Sequence, residues 1–231
     1  MKKYELTAEF IEKWGKKLFR IKALISFGSV EAGELGGYIE KEDNLAHDGN
    51  AWVYGDAEVY GNARVSGNAR VYGNAEVSGN ARVYGNAEVS GDARVSGNAW
   101  VYGNAEVSGD ARVYGNARVS GNAEVSGDAW VYGNARVYGD AEVSGNADYL
   151  LIGRIGSRFS FTTFFKNKDK GITVSCGCFL GTIAEFRAKV TDTHGNNKHA
   201  KIYNLAADMA ELQILGEEHF DKLNTNKSES F

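Results

Sequence analysis

The chain contains no proline and only two cysteines, Cys176 and Cys178, in 231 residues. Without proline the bends fall to other residues, and 29 glycines interleaved with asparagine supply them. Two cysteines one residue apart do not make a secreted disulfide framework, so a reducing cytoplasm is expected. Histidine is scarce too: four in all, and none between Asn50 and Ala147. No apolar run is long enough to span a bilayer. Met1-Lys2-Lys3-Tyr4-Glu5 leads into no stretch of signal-peptide length, so neither membrane insertion nor export is expected. A net charge of -4 is too mild to predict a general nucleic-acid binder or a membrane-surface protein.

What is present is a repeat. Valine recurs at every sixth position from Val53 to Val143, each in the frame Gly-(Asn/Asp)-Ala-x-Val-(Tyr/Ser). Six residues are too few for a helix pair or a propeller blade but fit one strand and one corner of a parallel β-solenoid. In Ala57-Glu58-Val59-Tyr60, alternation turns Val59 inward and Glu58 and Tyr60 outward. Gly61-Asn62 then makes the corner, because these residues tolerate positive φ or bond their own backbone. Three units close a triangular turn, giving a physical period of eighteen residues. Val65-Ser66-Gly67-Asn68-Ala69-Arg70 and its neighbours resemble the hexapeptide repeats of left-handed parallel β-helix proteins. That resemblance implies a mainly β fold of about five triangular coils, and the handedness rests on it alone.

The flanks read as caps. Residues 1–50 form an N-terminal strand or hairpin cap: Leu18-Phe19-Arg20-Ile21-Lys22-Ala23-Leu24 alternates as a strand, with a turn at Trp14-Gly15-Lys16-Lys17 before it. Thr7 to Trp14 is a helical turn or the first hairpin arm. Ile39 and Leu45 read as degenerate rungs, with a corner insertion between Leu45 and Val53. The solenoid covers 51–148, an α+β module of one hairpin and two helices covers 149–216, and 217–231 is a polar tail expected to fray. Within the module, Tyr149-Leu150-Leu151-Ile152-Gly153-Arg154-Ile155 is expected to form the last rung and exit strand. Thr182 and Glu185 have capping-box spacing for a helix from Ile183 to just before Gly195, and Asn197 caps a second helix. On that helix Ile202, Leu205, Met209 and Leu212 form an apolar stripe expected to pack on the hairpin.

Outward residues eighteen apart stack into vertical files. One wall carries Arg64, Arg82, Trp100, Arg118 and Arg136 beside Ser66, Tyr84, Tyr102, Ser120 and Tyr138. A second runs Trp52, Arg70, Glu88, Glu106, Glu124, Glu142, and a third Glu58, Glu76, Arg94, Arg112, Trp130. We call these the arginine, glutamate and mixed walls. Arginine and aromatic residues anchor interfaces, so Arg64, Arg82, Tyr84, Trp100, Tyr102, Arg118, Arg136 and Tyr138 form the candidate partner-binding surface. An acidic protein is one occupant, nucleic acid or a nucleotide another, and the glutamate wall of a second copy a third. Alternatively, duplication copied whole coils and the charges only keep the walls soluble.

Asp56, Asp92, Asp110 and Asp128 share a corner column with Asn74 and Asn146, which suits either turn chemistry or a hard cation such as calcium. Cys176, Cys178, His194 and His199 have the donor types of a structural zinc site, but Cys-x-Cys is tighter than the usual spacing and a helix break separates the histidines. The other readings are idle thiols and a Cys-His nucleophile. Resemblance to solenoid acyltransferases and carbonic anhydrases would imply histidines on the coils, and there are none, so no enzyme and no cofactor are expected. Ser and Tyr hydroxyls on the walls have no evident base to activate them.

The segments Gly36-Gly37-Tyr38-Ile39-Glu40-Lys41-Glu42, Ile155-Gly156-Ser157-Arg158, Ser175-Cys176-Gly177-Cys178-Phe179 and Thr193-His194-Gly195, taken with the repeats, resemble uncharacterised hexapeptide-repeat proteins of phages and prophages. That resemblance implies a small accessory protein that binds a host protein in the host cytoplasm, with inhibition of a defence complex of the CRISPR type as its concrete form.

Overall fold

A computed structural model describes residues 1–218. Of the polar tail expected from 217 onward, residues 219–231 lie outside the described part. The chain opens with strands β1 (Tyr4–Lys13) and β2 (Lys16–Ala23), which form an antiparallel hairpin, followed by β3 (Leu35–Ile39). The hairpin turn is tighter than expected. Lys13 pairs with Lys16, leaving only Trp14 and Gly15, both at positive φ (53° and 73°), as a type I′ hairpin turn requires.

Sixteen two-residue strands, β4 to β19, then run from Trp52–Val53 to Glu142–Val143. Each pairs in parallel with strands eighteen residues away, for example Val89 with Val71 and Val107. The files expected from the period are therefore real neighbours. Every repeat valine from Val53 to Val143 is fully buried, as is every alanine of the frame from Ala51 to Ala141. Burying a valine side chain stabilises by about 1.5–3 kcal/mol, and the small alanine lets the chain fold tightly at each bend. Corner glycines hold positive φ against the coil above: Gly91 sits at 66°, and a Cβ there would lie 2.9 Å from the Gly109 nitrogen.

The solenoid has about six turns rather than five. Tyr38 and Ile39 of β3 pair in parallel with Glu58 and Val59, and Leu45 bridges Val65, so the pre-repeat segment completes a further coil without the repeat frame. The hairpin extends the mixed wall, in strand order β1-β2-β3-β5, and Tyr4, Ile21 and Ala23 join the coil core. This end of the prism is thus covered, and Trp52 is covered with it. Although it occupies an outward position on the glutamate wall, it is fully buried, packed edge-on by Tyr4 and Phe27.

At the other end Tyr149–Ile155 is not a rung. As β20 it begins a separate antiparallel sheet, β20-β21-β22-β23, completed by β21 (Ser160–Lys166), β22 (Ile172–Cys176) and β23 (Phe179–Thr182). The expected hairpin is present as β21 and β22, and the exit strand β20 and the additional β23 flank it to make four strands. Phe165 and Tyr149 reach into the coil core, and Arg136 N–H donates to Thr163 Oγ1 across the last turn. Helix α1 (Ile183–His194) starts on the Thr182/Glu185 capping box and α2 (Lys198–Leu215) on Asn197, as the spacing predicts. The expected stripe on α2 does not pack on the sheet: Leu205, Met209 and Leu212 are exposed, while Tyr203, Ala206, Ala207 and Ala210 are buried. Small residues allow the close helix-sheet approach, and Arg187 of α1 neutralises the buried Glu211 at 2.6 Å. Among the described residues no helix is long and apolar enough to cross a membrane.

Candidate functional site

The arginine wall is a parallel sheet in which Arg64, Arg82, Trp100, Arg118 and Arg136 succeed one another rung by rung. At about 4.8 Å per rung, the file brings four guanidinium groups onto one strip. Arg82 lies over the Trp100 ring at 5.3 Å from one neighbouring rung and Arg118 at 4.7 Å from the other. Beside them Tyr84 and Tyr102 stack at 5.0 Å with nearly parallel rings. Ser120 is buried between the Tyr102 and Tyr138 rungs. Burial raises the Tyr138 phenol above its ordinary range, and Tyr102 adds to the shift. Tyr84 is raised by burial and then by Tyr102, with Arg118 and Arg82 pulling the other way. All eight residues singled out from the sequence therefore stand on one surface.

The wall is framed at both ends. Below, the Arg136 guanidinium donates to the Gly177 carbonyl in the turn between β22 and β23 at 3.3 Å. Above, the segment from Glu42 to Asp48 overhangs Arg64 and Arg82 and turns that end into a groove of about 570 Å³. His47 borders this groove but is held structurally: its ring stacks on Tyr4 at 4.4 Å, and Nδ1 accepts from the Lys3 N–H.

The other walls differ in how their charges are opposed. Lys13 of the hairpin donates to Glu58 at 2.6 Å and to Glu76 at 2.7 Å. Burial works against the charge at Glu76, but Lys13, with Arg94 and Tyr60 behind it, outweighs burial and holds the carboxyl below its usual range. On the glutamate wall Glu88 faces Arg70 at 3.7 Å and Glu124 meets Lys168 at 2.6 Å. Among the described residues Arg64, Arg82 and Arg118 have no carboxylate partner. Sequence reasoning missed this asymmetry, because Lys13 and Lys168 reach the walls from segments far away in the chain.

The corners divide similarly. Two columns are asparagine ladders, such as Asn68 to Asn86 to Asn104, each amide donating to the next at 3.0 Å. The third holds Asp56, Asp92, Asp110 and Asp128, with Asn74 donating to Asp92 at 2.9 Å. Among the described residues no three His, Cys, Asp or Glu side chains are grouped to hold a metal ion. Cys176 and His194 line one small hollow of about 100 Å³ with Tyr203, whereas Cys178 is exposed on the turn. His194 and His199 stand 5.8 Å apart, ring to ring, and Thr162 donates to the Cys176 sulfur at 3.2 Å. Burial and then Cys176 push the Tyr203 phenol up to about 12.

Among known proteins, a family model described as YdcK Beta solenoid repeat matches residues 57–73, 63–79, 87–103, 111–127, 117–133 and 129–145. No curated protein matches the chain. The matched windows all lie in the coils and include Arg64, Trp100, Arg118 and Arg136. Pairing at eighteen residues, a buried valine column and this match make the chain a parallel β-solenoid repeat protein.

Proposed function

We propose that the chain is a non-enzymatic binding protein that docks an acidic protein surface on the arginine wall. The observation that carries this reading is the file Arg64, Arg82, Arg118, with Arg82 and Arg118 ordered on Trp100 and no carboxylate partner among the described residues, whereas Glu58, Glu76, Glu88 and Glu124 each meet a cation from Lys13, Arg70 or Lys168. Exposed like charges on neighbouring rungs cost a few tenths of a kcal/mol per pair, about as much as on other elements. A carboxylate-bearing partner removes that repulsion and gains pre-ordered guanidinium donors. Arginine, tryptophan and tyrosine are also the residues in which interface energy concentrates. The resemblance to phage and prophage hexapeptide-repeat proteins supports a host protein in the cytoplasm as partner, and inhibition of a host defence complex as the outcome.

A second reading has its own observation. Glu106 and Glu142 on the glutamate wall climb at the same rise as the arginines, so the glutamate wall of a second copy would meet the file in register. Nucleic acid fits less well, because arginines flank Trp100 on both neighbouring rungs where a base would stack. Reversing Arg64, Arg82, Arg118 and Arg136 to Glu tests the proposal. Capture of the partner should be lost while the chain stays folded and monodisperse, and capture that survives moves the site elsewhere. Light scattering of the wild-type chain separates the second reading, which requires a salt-sensitive oligomer.

A further inference from the structure

The groove at the upper end of the arginine wall is not uniformly basic. Arg64 and Arg82 line it together with Asp43 and Asp48 of the overhanging segment, and Trp100 and Tyr84 complete the lining. Glu42, on the same segment, is already neutralised by Lys2 at 2.5 Å. Asp43, Asp48, Arg64 and Arg82 are all exposed, and among the described residues none of the four is in an ion pair. Two signs of charge therefore line one groove of about 570 Å³, enough for a short extended peptide segment.

We infer that this groove receives a mixed-charge peptide segment, an acidic side chain lying on Arg64 and Arg82 and a nearby basic side chain against Asp43 and Asp48. The inference rests on the proposed docking of a protein at the arginine wall and names the chemistry of the segment that enters it. A polyphosphate backbone carries only negative charge, so it would meet Asp43 and Asp48 unfavourably wherever it reached Arg64. A uniformly acidic peptide meets the same penalty. A segment carrying both signs a few residues apart satisfies both pairs of side chains, because opposite charges are complementary here and like charges discriminate against the wrong ligand.

The test is an array of twelve-residue peptides probed with the full chain, alongside a twelve-nucleotide single-stranded DNA measured by anisotropy. Three proteins are compared: wild type, Asp43→Asn/Asp48→Asn, and Arg64→Ala/Arg82→Ala. All four side chains are exposed, so the variants should fold, and circular dichroism checks that they do. The wild type should select peptides with an acidic and a basic residue within about three positions, and the arginine variant should lose them. The aspartate variant should bind the same peptides at least five-fold more weakly while gaining affinity for all-acidic peptides. Three results each overturn the inference: no charge preference, all-acidic peptides or DNA bound by the wild type at least as tightly as mixed ones, or an aspartate variant that behaves as wild type. Because Asp43→Asn/Asp48→Asn leaves the whole arginine file intact, its failure to matter refutes the groove and not the wall. Survival of partner capture after reversal of all four arginines refutes the wall.

Discussion

The guanidinium of Arg118 lies 4.7 Å over the indole of Trp100, and from the rung on the other side Arg82 approaches the same ring at 5.3 Å. One aromatic residue in a file of arginines thus separates two positive charges and gives each a surface to rest on. Each such contact at an exposed site contributes about 0.5–1 kcal/mol. Trp100→Ala should therefore lower the unfolding free energy by about 1–2 kcal/mol, read as a shifted urea midpoint with an unchanged slope. Trp100→Phe should recover part of the loss.

Lys13 ties the hairpin to the coils through Glu58 and Glu76, and both carboxylates are largely covered. Removing the ammonium by Lys13→Met leaves two like charges on adjacent rungs, and stability should fall by about 1–2 kcal/mol after allowance for partial exposure. The pH dependence has a definite sign. Glu76 is held below its ordinary value of 4.5, so its contribution is complete above that pH and is lost as pH falls through the lowered value. Acid titration should release this stability in the wild type and show a smaller loss in Lys13→Met.

Lys3 is buried at 1% exposure, donates to the Ala51 carbonyl at 2.9 Å and sits 4.6 Å over the Phe27 ring. Burial pushes its pKa from 10.5 to about 8, against a smaller opposite pull from Asp48. Between those two values the unfolded chain keeps a proton that the folded chain has released, so stability should rise with pH across that window, by at most about 3 kcal/mol. Below about 8 the contribution is absent. Urea denaturation at pH 7, 8, 9 and 10, taken as about one-unit steps across the window, should show this slope in the wild type and a flatter one in Lys3→Met.

Gly91 and Gly139 share a backbone conformation, φ of 66° and 69°, but not surroundings. A Cβ on Gly91 would lie 2.9 Å from the Gly109 nitrogen, and one on Gly139 would meet nothing within 4 Å. Gly139→Ala should cost only the left-handed strain of about 1–2 kcal/mol, while Gly91→Ala should cost more because two stacked corners must separate. Equal thermal midpoints for the two variants would contradict the stacking.

The coils were legible because their signal is local: Val59, Ala57 and Gly61 state inside, bend and corner within six residues. Ile39 and Leu45 are legible as degenerate rungs and do pair as rungs, but without the repeat frame they do not add up to a counted coil, so the period alone gives about five turns where the structure has about six. On α2 the large residues Leu205, Met209 and Leu212 outweighed the alanines in a hydrophobic reading, yet close packing selected Ala206, Ala207 and Ala210. Trp52 reads as a wall residue because nothing local reveals that Tyr4 and Phe27 fold back over it. For the candidate site, the stacking of Arg64 to Arg136 followed from the period. What opposes the other walls, and the acidic overhang at Asp43 and Asp48, comes from chain segments whose paths the repeat does not encode.

The most direct test is quantitative capture from host lysate with three chains: wild type, the chain with Arg64, Arg82, Arg118 and Arg136 changed to Glu, and a chain with Glu106 and Glu142 changed to Arg. Docking on the arginine wall predicts one saturable partner that the second chain loses and the third retains, with binding that weakens as salt rises. A partner held equally well by the four-arginine variant, with its circular dichroism spectrum unchanged, would contradict the account.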